Sequence, residues 1–93
     1  MDNFCKIVWI FSGSNSRFPS GAFSAIEIAE NWIQNNKLTG VLTSYPIDIS
    51  VYDWAIKNEF FVPRNDTQKS SDFIQKFSSG SQEHYHYENG LRE

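Results

Sequence analysis

Basic residues are scarce in this chain. Eight Lys and Arg stand against eleven Asp and Glu in 93 residues, for a formal net charge of −3. They are also scattered, as Lys6, Arg17, Lys37, Lys57, Arg64, Lys69, Lys76 and Arg92. Nucleic acid is therefore not expected as a main partner, because neutralising phosphates takes a basic face. Cysteine is rarer still. A single Cys5 rules out an intramolecular disulfide. Its apolar setting, FCKIVWIF, reads as a buried thiol rather than a reactive one. Long apolar runs are missing too. The first residues, MDNFCKIVWIF, fall far short of the roughly 18 apolar residues of a membrane span. They also lack the basic start and longer apolar core of a signal peptide. The expectation is a soluble, cytoplasmic protein with no membrane partner.

What the chain has in plenty is aromatic area. Eight Phe, four Tyr and three Trp make up 16% of its 93 residues, a length that allows one domain, 1–93. A chain of this size buries roughly 60–65% of its unfolded surface, so stability is thin. The large rings let a core form without disulfide or metal.

The elements read as follows. Phe4–Phe11 is apolar on both faces after Lys6 and β-rich, which suits a central strand. Ser12–Gly21 (SGSNSRFPSG) is a loop by composition, and AFS after it is a short strand. Ser24 with Glu27 three residues on makes a capping box. Ala25, Ile28, Ala29, Trp32 and Ile33 then form one helical stripe, with Glu27, Glu30, Asn31 and Gln34 on the other side. Gly40–Pro46 (GVLTSYP) is a second clear strand, stopped by Pro46. Asp48 or Ser50 caps a largely buried helix, Val51–Asn58, and EFFVP is a short strand or extended segment. Ser70 or Ser71 caps a third helix with Asp72 in its first turn, docked by Phe73, Ile74 and Phe77. QEHYHYEN closes the fold as a strand, and GLRE frays. The order implies an α+β fold, a single small mixed sheet of about four to five strands with about three helices mostly on one face. No internal repeat is visible.

The stretches VWIFSGSNSRFPSGAFS, AENWI, LTGVLTSYP, VYDWAI and SQEHYHYENG together resemble a family of small bacterial proteins known only as a domain of unknown function. The resemblance covers nearly the whole chain. It implies a bacterial, soluble, stand-alone domain and brings no catalytic residue with it.

Chemistry-bearing residues concentrate in three places. On the closing strand, alternation puts Gln82, His84, His86 and Glu88 on one face and Glu83, Tyr85 and Tyr87 on the other. His84, His86 and Glu88 could meet a zinc or iron ion, but a third strong ligand would have to come from afar. A polar binding surface or a plain solvated strand are the competing readings. In SGSNSR, Arg17 could hold an anionic group and Phe18 could be an exposed anchor, but no phosphate-loop pattern is present. Asp48 and Asp53 could do acid–base work if they converged; more simply, one caps a helix and the other faces solvent. No nucleophile motif is found, and no cofactor is implied.

The reading is therefore a small acidic, non-enzymatic protein-binding module. In its concrete version it is an immunity-type or inhibitor protein that masks a basic partner, since aromatics anchor interfaces and acidic rims steer basic proteins. Its candidate binding residues are Arg17, Phe18, Asp48, Asp53, Glu83, His84, His86 and Glu88, and Phe18, Tyr45, Phe61, Tyr85 and Tyr87 are the candidate exposed aromatics. Two alternatives stay open. One is a metal- or small-ligand-binding protein, an enzyme included, on the His84/His86/Glu88 face. The other is a homo-oligomer pairing FFV or EHYHY as edge strands across a two-fold axis.

Overall fold

The computed structural model describes residues 7–93. The expected strand start at Phe4 and the buried-thiol reading of Cys5 lie outside the described residues. The chain forms two compact units, one of residues up to 47 together with 82–93, the other of residues 48–81.

The first unit is a five-stranded sheet with one helix. Its strands are β1 (Ile7–Gly13), β2 (Gly21–Phe23), β3 (Gly40–Pro46), β4 (His84–Glu88) and β5 (Leu91–Arg92), in the order β2-β1-β3-β4-β5. Every pairing is antiparallel, where a mixed sheet was expected. The reason is the route of the chain. β2 and β3 run parallel to each other but lie on opposite sides of β1, and α1 (Ile26–Asn35) carries the chain over β1 between them.

The helix packs on the odd-numbered side of β1. Trp9 and Phe11 meet Leu42 of β3, Tyr87 of β4, and Ala29 and Ile33 of α1 in one buried cluster. Phe23, Ile26, Trp32, Leu38 and Tyr85 pack around it. Phe11 and Trp32 meet edge to face, with ring centroids 5.5 Å apart.

Three expectations change here. The helix is not capped by Ser24: Ala25 is the N-cap, in extended geometry, and no side chain bonds the first turn. The apolar stripe is correspondingly rotated. Ile26 packs against the core while Ile28 is exposed, because the covered face draws residues 26, 29 and 33 inward at i, i+3, i+7. The tail does not fray. Asn89 and Gly90 take positive φ values of 52° and 88°, the two-residue type I′ turn that Asn-Gly favours, and return the chain as β5. The Gly90 N–H donates to the Leu38 carbonyl at 2.8 Å. A Cβ there would stand only 3.1 Å from Gln34 Cα.

The second unit carries α2 (Val51–Lys57) and α3 (Ser71–Gln75), joined by irregular chain and a 3-10 turn at Thr67–Lys69. Ser50, not Asp48, caps α2: its Oγ accepts from the Asp53 N–H at 2.9 Å and donates to the Asp53 carboxylate. Ser70 caps α3 in the same way, accepting from the Phe73 N–H. Its core is a knot of rings, in which Tyr52, Phe61, Phe73 and Phe77 sit 4.9 Å to 6.2 Å apart. The Tyr52 hydroxyl is satisfied by the Gln68 carbonyl at 2.6 Å. The expected strand in EFFVP is not formed. Glu59 adopts φ 64° past the end of α2, and the Phe60 N–H turns back to the Ala55 carbonyl at 2.8 Å, a helix-ending turn that consumes the segment's first donors.

Candidate functional site

The sheet has one face under α1 and one without a helix of its unit. On the second face the residues alternate out of the core: Val8, Ile10 and Ser12 from β1, Ala22 from β2, Val41, Thr43 and Tyr45 from β3, and His84, His86 and Glu88 from β4. The register sets them in rows. Ala22, Ile10, Thr43 and His84 are successive cross-strand partners, as are Ser12, Val41 and His86. Val8, Ile10, Val41 and Thr43 are half-buried; Tyr45, His84, His86 and Glu88 are exposed. No residue of this row set is buried. The result is an aliphatic centre with a polar margin, and no Lys or Arg stands on it among the described strand residues.

The two histidines are neighbours, with ring centroids 5.7 Å apart and nearly perpendicular rings. His84 Nδ1 lies 2.7 Å from the Gln82 carbonyl oxygen, which can only accept, so that nitrogen is the donor. Gln82 itself is buried and donates to the Ser44 carbonyl. The Glu93 N–H donates to the His86 carbonyl at 2.8 Å, which puts Glu93 opposite His86.

The sequence candidates are thus only partly brought together. His84, His86 and Glu88 share the open face as expected, but among the described residues no group of three His, Cys, Asp or Glu could hold a metal ion. Glu83 is on the other side, where it accepts a hydrogen bond from the Tyr85 hydroxyl, and that bond holds the Tyr85 pKa above its usual value. Arg17 and Phe18 lie on the β1–β2 loop, with Phe18 72% exposed. Asp48 and Asp53 belong to the second unit, both exposed. Of the proposed exposed aromatics, Phe18 and Tyr45 are exposed, Phe61 and Tyr85 are half-buried, and Tyr87 is buried. Neither suggested edge strand is a free edge: FFV is irregular and β4 runs between β3 and β5.

A second polar feature was not foreseen. Tyr87 on β4 donates to Glu30 Oε2 of α1 at 2.5 Å, and Arg92 of β5 donates to the same oxygen from Nε at 2.8 Å and from Nη2. The Arg92 guanidinium also lies 4.0 Å over the Tyr85 ring. Burial opposes the Glu30 charge, but the hydrogen bonds from Tyr87 and Arg92 outweigh it and hold the carboxyl below its usual value. Burial, and then the bond to Glu30, push Tyr87 up to about 12. The group lines an open hollow of about 200 Å³ with Gln34, Gly90 and Leu91. The signal for it was the Asn-Gly pair, which makes β5 and delivers Arg92.

Among known proteins, the model of a domain of unknown function, DUF7710, matches residues 8–93. No curated protein and no solved structure matches the chain.

Proposed function

The chain belongs to the DUF7710 family, a domain of unknown function, and from that premise we propose that it is a non-enzymatic protein-binding module whose docking surface is the sheet face opposite α1. The observation that carries this reading is the composition of that face. Half-buried Val8, Ile10 and Val41 form an apolar centre, and Tyr45, His84, His86 and Glu88 form a polar margin. Interfaces have this anatomy, with an apolar core that excludes water inside a hydrated rim. The formal charge of −3 and the lack of Lys and Arg on the strand face favour a basic partner, steered in by long-range attraction. In its concrete form the module is an immunity-type or inhibitor protein that covers a basic active surface in the cytoplasm.

The test is affinity capture of the tagged protein from lysate of its own host, at low and moderate salt, read by mass spectrometry. One stoichiometric partner is expected, weaker at higher salt and lost on Thr43→Arg, which plants a cation mid-face. A partner that persists through Thr43→Arg, or a blank at both salts, removes the reading. The small-ligand alternative finds better support away from the histidines, at the Glu30 hollow.

A further inference from the structure

The Glu30–Tyr87–Arg92 group has the hydrogen bonds of a structural clamp, but not their usual distribution. Arg and a carboxylate commonly meet fork to fork, one donor to each oxygen. Here all three donors, from the Tyr87 hydroxyl and from Arg92 Nε and Nη2, converge on Glu30 Oε2. Oε1 accepts none of them. Arg92 spends two of its five N–H donors on Glu30. One helical turn along α1, the Gln34 side-chain amide has no protein partner among the described residues and lines the same hollow. The hollow therefore offers an anionic acceptor, a cationic donor and a neutral amide within one space, and the acid and the base it holds cancel in charge.

A ligand that matches this set carries a cation for Glu30 Oε1 and, a bond or two away, an anion for the unspent Arg92 donors, with no net charge. We infer that the hollow binds the head group of an α-amino acid in its zwitterionic form, the ammonium at Glu30 and the carboxylate at Arg92, with Gln34 bridging. The size agrees. About 200 Å³ is smaller than the roughly 300–1,000 Å³ pockets of drug-sized ligands. Type I′ geometry at Asn89–Gly90 fixes the floor, because the Gly90 N–H is tied to Leu38 at 2.8 Å. The site is independent of the open sheet face, so it stands or falls apart from the protein-binding reading.

The experiment is a titration of the isotope-labelled full chain by amide chemical shifts, with L-alanine as probe and with ethylamine and propionate as its two halves. L-Alanine is expected to move the signals of Gln34, Gly90, Leu91 and Arg92 saturably, with a dissociation constant of about 1–10 mM, as suits so few atoms in an open site. Each half should bind at least about tenfold more weakly. Glu30→Gln should weaken L-alanine by about tenfold or more while its amide oxygen still accepts from Tyr87, and Gln34→Ala, at an exposed position, should weaken it without touching the clamp. The inference is overturned by unsaturable shifts, by halves that bind as well as the zwitterion, by undiminished binding to both variants, or by shifts centred on His84 and His86.

Discussion

The two faces of the sheet are written by alternate residues of the same strands, yet they obey different demands. Under α1, Trp9, Phe11, Leu42 and Tyr87 are all buried. Across the pleat, Val8, Ile10, Val41 and Thr43 are half-buried, and His84 and His86 are exposed. The first face is decided by packing, where every methylene is felt. The second satisfies no such demand within its unit, so its residues are free to serve recognition. Neighbours one position apart therefore differ in what they can tolerate. Leu42→Ala is expected to cost about 3–5 kcal/mol, by transfer and cavity terms together. Thr43→Ala, the next residue, should stay within about 1 kcal/mol. Chemical denaturation of the two variants checks this, and equal losses would erase the distinction between the faces.

The covered face has a second way to break. Gly40 sits where β3 crosses β1 so closely that a Cβ would lie 2.3 Å from the Ser12 carbonyl oxygen and 2.8 Å from Gly13 Cα. Both obstacles are backbone and cannot swing aside. Gly40→Ala should therefore cost about 3 kcal/mol or more, at the upper end of overpacking, and thermal unfolding of the variant measures it.

The alternation also explains what could be read in advance. The strand Gly40–Pro46, the helix Val51–Lys57 and the two-faced pattern of EHYHY were legible, because period-two apolarity and a serine N-cap are local signals. The α1 stripe was legible only to within one residue. Ile26 and Ile28 are alike in the sequence, and only the position of β1 decides which one turns inward. β5 was missed although Asn-Gly is the strongest short hairpin signal, since two residues after it look too few to pair. With β5 went Arg92, the Glu30 clamp and the hollow. Such a constellation joins residues 57 and 62 positions apart, and no spacing rule reaches that far. The open face was half legible: His84, His86 and Glu88 were named, but Val8, Ile10 and Val41 became its centre only through the register.

The clamp bridges helix and sheet at the margin of the covered face, and its titration sharpens the comparison. Tyr87 is raised to about 12 by burial and by its bond to Glu30. A hydroxyl whose folded pKa is raised contributes stability that is whole below its unfolded value near 10 and is lost as pH climbs towards 12. Tyr87 should accordingly ionise late in an alkaline titration followed by tyrosinate absorbance. Glu30 runs the other way: its folded pKa is lowered from 4.5, so its contribution is present above that value and is lost as pH falls through the folded one. Tyr87→Phe should remove the late alkaline phase and cost about 1–2 kcal/mol. A variant that keeps the phase would show that another tyrosine produces it.

At the far end of α1 the structure carries strain that can be relieved. Lys37 holds φ 53° while the Leu38 N–H closes on the Ile33 carbonyl at 3.0 Å, a helix end built for glycine. Lys37→Gly should stabilise the protein by about 0.5–1 kcal/mol, read as a rise in the unfolding midpoint. The gain belongs to the covered side, which keeps the helix in place, and it should leave the open face unchanged.

The smallest expected change in stability is the one that bears most on function. His84 and His86 are both exposed and fill no part of the core. The double change to alanine should therefore move stability by no more than about 0.5 kcal/mol. If the open face is a docking surface, the same pair should weaken partner capture by more than it moves stability, since it removes two adjacent rings 5.7 Å apart from the margin that keeps water from the apolar centre. Loss of stability with capture intact would make the face structural after all. Loss of capture with stability intact would separate the two faces by role as cleanly as burial separates them by position.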